Sequence, residues 1–112
     1  MDGISLEPFL RPIEDVTSRS HDNLNPDSLR GYLEKNGWTV QTWQDPAGTH
    51  HPPHQHPYSH RVYVESGTIE FRVQNDRFRL QPGDTLDLPA RVEHSATVPK
   101  TSPVSYWLLQ SS

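Results

Sequence analysis

Past Trp38 the chain never runs far before it must turn. Apolar and polar residues alternate in short stretches, and almost every stretch ends at glycine, proline or an Asx residue. Trp38, Val40 and Thr42 alternate with Thr39, Gln41 and Trp43, and residues 45–48 (Asp-Pro-Ala-Gly) turn the chain. His60, Val62 and Val64 share one parity while Arg61, Tyr63 and Glu65 share the other; Ser66 and Gly67 then make a turn. Ile69, Phe71 and Val73, then Phe78 and Leu80, then Leu86 and Leu88 repeat the pattern between further turns, with Thr85 and Asp87 expected to face outward. Residues 92–98 carry His94, and residues 104–109 are densely apolar, as a strand buried on both faces would be. Side chains of an extended chain point to alternate faces, so a period of two marks half-buried strands. Short strands of even spacing between Gly and Pro turns predict an all-β sandwich or barrel of the jelly-roll kind.

One stretch reads differently. Residues 25–37 predict a single short helix: Asn25 can cap it, Pro26 suits the first helical position, and Asp27 complements the positive N-terminal end. Leu29, Tyr32 and Leu33 form one apolar stripe, and Gly37 stands where a left-handed stop belongs. Residues 1–22 keep neither period, and Pro8 and Pro12 oppose a helix, so an extended arm or edge strand is expected there. The chain thus divides into an arm and helix over residues 1–37 and an all-β unit over 38–112.

Composition narrows the function. A net charge of -4 and no basic patch argue against a nucleic-acid partner. No apolar run approaches the roughly 20 residues that span a bilayer, and residues 1–3 do not open a signal peptide, which makes a cytoplasmic location the expectation. There is no cysteine, so thiolate metal sites are excluded.

The chemistry is concentrated between residues 48 and 67, which hold His50, His51, His54, His56 and His60, five of the seven histidines. Neutral imidazole is the commonest protein metal ligand. His54 and His56 are spaced by two, so on extended chain both rings reach one point, and His60 keeps their parity. His50 and His51, before Pro52 and Pro53, are expected in a loop, and His21 on the surface.

In register, these residues resemble the cupin superfamily, small jelly-roll β-barrels that enclose a metal. Its first motif is similar to Gly48, five residues, His54-Gln55-His56, three residues, His60, six residues, Gly67. Its second is similar to Gly83, five residues, Pro89-Ala90-Arg91, two residues, His94, and ends at Val98. The motifs and the segment between them cover about half of the chain. Three positions depart: His60 replaces a family glutamate, Arg91 a glycine and Val98 an asparagine. A left-handed Arg91 would cost about 1–2 kcal/mol, so a reshaped turn is the expectation.

The resemblance implies a metal site of His54, His56, His60 and His94, nearest to small single-domain cupins with an all-histidine centre. Imidazole suits Zn, Cu, Fe and Ni, and the resemblance adds Mn, so the divalent transition metal stays open. Four protein ligands on a six-coordinate ion would leave two positions for a small-molecule substrate. That fits an oxygenase, an isomerase or a lyase; the alternative is a non-catalytic metal or small-ligand binding module. A sensor half of a regulator is disfavoured, since the sequence ends directly after its last strand. Tyr58, Tyr63, Glu93 and Tyr106 are candidate acids or bases on inward faces, whereas Glu65 and Glu70 look outward. Trp38, Trp43, Tyr106 and Trp107 read as core or interface rather than a substrate platform, and the arm and the tryptophans lead to the expectation of a C2 homodimer.

Overall fold

The computed structural model describes residues 18–20 and 26–111. Its elements in chain order are β1 (Ser18–Ser20), α1 (Pro26–Lys35), β2 (Trp38–Asp45), β3 (His50–His54), β4 (His60–Ser66), β5 (Ile69–Val73), β6 (Asp76–Leu80), β7 (Asp84–Leu88), β8 (His94–Thr97) and β9 (Val104–Ser111). All strand pairs are antiparallel. One sheet runs β1-β7-β4-β9-β2 and the other β3-β8-β5-β6. The two sheets face each other in a jelly-roll without closing into a single continuous barrel.

The alternation read from the sequence sets the core between the sheets. Val62 and Val64 of β4, Ile69, Phe71 and Val73 of β5, and Leu86 and Leu88 of β7 pack there with Val98 and Val104. A second, smaller core lies on the other face of the five-stranded sheet. Leu29 and Leu33 of α1 pack on Trp38, Tyr63, Trp107 and Leu109. At ten residues the helix is too short to persist alone and depends on that contact. Gly37 closes it with φ 89°, the left-handed stop the sequence indicates. Asn25 and His21 lie outside the described residues, as does most of the arm; residues 18–20 pair with β7 at the sheet edge.

The second core corrects two expectations. Thr85 and Asp87 do point away from the main core, yet both are buried. Asp87 forms a fork-like ion pair with Arg61, and Arg61 also stacks over Trp38, 5.2 Å from the ring centre. Tyr63, expected near the site, instead packs against Trp107 with ring centres 4.8 Å apart. Burial pushes its phenol pKa up, helped by the charge of Glu65.

Candidate metal centre

The described residues place His54 at the end of β3, His56 in the following loop, His60 at the start of β4 and His94 at the start of β8. Strand pairing brings His54 directly opposite His94. Ring centres are 4.4 Å apart for His54 and His94, 4.9 Å for His54 and His56, and 5.4 Å for His56 and His94. One nitrogen from each of these three rings lies within 4.8 Å of the others. Edges of a Zn–N coordination polyhedron run to roughly 3–3.5 Å for bonds of about 2.1 Å, so small side-chain rotations would bring the three onto one ion. His60 is not in that set. Its ring centre stands 5.2 Å from His56 and 5.8 Å from His94.

Hydrogen bonds fix which nitrogen carries the lone pair in two of these rings. His54 Nδ1 lies 2.7 Å from the Pro52 carbonyl and His94 Nδ1 3.1 Å from the Val92 carbonyl. A carbonyl only accepts, so each Nδ1 must carry the hydrogen, and in the neutral ring Nε2 holds the lone pair. Burial lowers the pKa of His94 and of His56, aided in both by the charge of His54 and opposed at His94 by its bond to the Val92 carbonyl. Burial also drives His60 down to about 4, with His56, His94 and His54 adding repulsion. His60 Nδ1 is buried and has no hydrogen-bond partner among the described residues.

These rings line a hollow of about 260 Å³ between the sheets. Its remaining wall is mostly apolar and aromatic, with Trp43, Tyr58, Phe71, Ala96, Tyr106 and Leu108, while Gln41 and Gln110 add amides. Tyr58 stacks on His56 at 5.1 Å and is half exposed, as is Trp43, so both sit at the mouth. Trp43, expected as core or interface, thus belongs to the hollow. Glu93 is exposed and does not line it.

Two expectations about the flanks change. His50 and His51 are not loop residues but lie in β3, paired with Thr97 and Ala96 of β8. The prolines are tolerated because β3 is an edge strand and is bulged between His51 and His54. Arg91 keeps the left-handed conformation, φ 63°, rather than reshaping the turn. Its N–H donates to the His56 carbonyl at 2.7 Å. Asp45 was not among the candidates and matters here. It ends β2 buried, and its Oδ2 accepts from His51 Nε2 and from the Tyr106 hydroxyl, both at 2.8 Å. Burial and this carboxylate raise the Tyr106 pKa, so the phenol stays protonated.

The antiparallel double sheet with a histidine-lined hollow defines a jelly-roll protein with a candidate metal site, and comparison with known proteins gives the family. The family model of the cupin domain matches residues 41–109, and the chain belongs to that family. No curated protein matches it. Among solved structures it is similar to the DMSP lyase DddQ from Ruegeria pomeroyi (28% identity, TM-score 0.61), covering 69% of this chain and 39% of the lyase. It is similar to an RmlC-like cupin from Shewanella frigidimarina (22% identity, TM-score 0.60), covering 68% of this chain and 67% of that one. It is also similar to salicylate 1,2-dioxygenase from Pseudoaminobacter salicylatoxidans (16% identity, TM-score 0.60), with 68% and 20% covered. The chain therefore spans well under half of the lyase and of the dioxygenase.

Proposed function

We propose that this cupin holds a divalent transition metal on His54, His56 and His94, with His60 as a fourth imidazole, and acts on a small organic substrate. The carrying observation is the convergence of three imidazole nitrogens within 4.8 Å on the wall of a hollow. The donor set suits such an ion. Two rings are held in the tautomer that leaves Nε2 free, and burial keeps His56, His60 and His94 neutral, as ligands must be. The buried, unpartnered Nδ1 of His60 supports its part in the site.

A bound ion would supply Lewis acidity toward a carboxylate or carbonyl oxygen. The chain's own residues supply the rest. Four neutral ligands cancel none of the ion's charge, which favours an anionic or chelating substrate. Phe71, Ala96 and Leu108 keep the wall dry, and the hollow admits only a molecule at or below the small end of ligand pockets, typically ~300–1,000 Å³. Lyase, isomerase and oxygenase chemistry all fit such a site, and the likeness to a DMSP lyase supports the first. Elemental analysis of protein purified without added metal tests the reading, paired with calorimetric zinc titration of wild type and His54→Ala. Stoichiometric metal in the wild type, lost in the variant, is expected. Equal affinity in the two would sink it. If metal binds and candidate carboxylates bind without turnover, the non-catalytic binding role replaces the enzyme.

A further inference from the structure

The hollow has a second polar pole that the metal reading leaves unused. His51 and Tyr106 both line it, on opposite sheets, and both donate to one buried oxygen of Asp45. Three observations give this cluster a direction. Tyr106 spends its hydroxyl hydrogen on Asp45 and stays protonated, so it serves as an anchor and not as a base. Asp45, held from one side by Tyr106, is left in place for the imidazole. A carboxylate accepts, so Nε2 of His51 carries the hydrogen, which leaves Nδ1 as the nitrogen with a lone pair to offer. His51 is also the accessible member, with a side chain 38% exposed against 11% for Asp45, so it can exchange protons with solvent.

The position suits proton transfer. His51 lies three residues before His54 on β3, so roughly 10 Å of extended chain at most separates them, less for the bulge. Both His51 and the histidine cluster line the one hollow. The geometry points to His51 as the acid–base residue of this site, with Asp45 as the positioning residue and Tyr106 fixing Asp45. The substrate class is a small carboxylate with an acidic C–H next to a carbonyl. In the step, Nδ1 of His51 takes the proton from carbon and becomes imidazolium. The C–H electron pair forms the new C=C bond, the carbonyl π pair moves to oxygen as an enolate, and imidazolium later returns a proton. No oxidant or reductant is needed. This rests on the reading that the histidine cluster loads a metal and holds the carboxylate.

The test uses pyruvate as probe with zinc-loaded full-length chain in D2O, following loss of the methyl proton signal. Wild type is expected to exchange faster than equimolar free zinc. His51→Gln is expected to lose about 100-fold or more of that rate, and Asp45→Asn about 10-fold, both with wild-type zinc affinity by calorimetry. A second readout needs no activity. In zinc-free protein, 15N NMR should show His51 as the Nε2–H tautomer, with Nδ1 unprotonated. His51→Gln exchanging at the wild-type rate, zinc-loaded wild type exchanging no faster than free zinc, or an Nδ1–H tautomer would each overturn the proposal while leaving the metal site standing. Failure of the wild type to bind zinc would instead remove the metal reading, and this proposal with it.

Discussion

At the scale of single residues, His60 carries the sharpest expectations. Replacing it by alanine should weaken zinc binding by about tenfold or more, whether it touches the ion or orients a ring that does; titration calorimetry measures this. Its pKa gives a second outcome in metal-free protein. The folded value, about 4, lies below the usual 6.5. Above 6.5 neither state holds the proton, so the group makes no difference. As pH falls from 6.5 to 4 the unfolded chain binds a proton that the folded chain refuses, and stability declines. The loss from His60 should total about 3 kcal/mol, read from urea unfolding at several pH values. His60→Gln should flatten much of that slope. His54, His56 and His60 stood out in the sequence because parity and spacing survive without coordinates, whereas His94 entered through the cupin resemblance; the structure gathers His54, His56 and His94. Asp45 stayed hidden because Asp-Pro-Ala-Gly announces a turn, and a turn signal does not say that its first carboxylate points inward. His51 was hidden by its prolines, which on an edge strand are compatible with pairing.

Among elements, the turn between β4 and β5 is a tight junction. Gly67 has φ 80°, and a Cβ there would run onto the Pro103 carbonyl oxygen and, at 2.8 Å, onto Val104 Cα. Both obstacles are backbone and cannot swing aside. Gly67→Ala should therefore cost about 2–4 kcal/mol, visible as a lowered midpoint in thermal or urea unfolding. Strand positions from β4 to β7 were legible from alternation, and α1 from its stripe and Gly37. Which sheet face is dry was not. Alternation says that Arg61, Tyr63, Thr85 and Asp87 share a side, but not that α1 builds a second core there. That is why Tyr63 read as a site residue and turned out to be packing.

For the whole molecule, the five-stranded sheet ends at β2 and the four-stranded sheet at β3, so the flank carrying Trp43 has unpaired strand edges among the described residues. Open edges invite pairing, and we expect a homodimer, checked by sedimentation at micromolar concentration; a clean monomer would refute it. The jelly-roll itself was legible because two spaced motifs and the turn rhythm agreed, whereas its failure to close depends on strand neighbours that no local pattern encodes. One small feature reaches across the molecule. The Arg91 N–H is tied to the His56 carbonyl at 2.7 Å and the Ala90 N–H to the Ser59 hydroxyl at 3.0 Å. A bend with no candidate metal ligand of its own thus latches the segment bearing one imidazole. Ser59→Ala, by unfastening one hook, should shorten the residence time of an ion bound there, so how long such a centre stayed loaded would be governed partly from outside its own coordination.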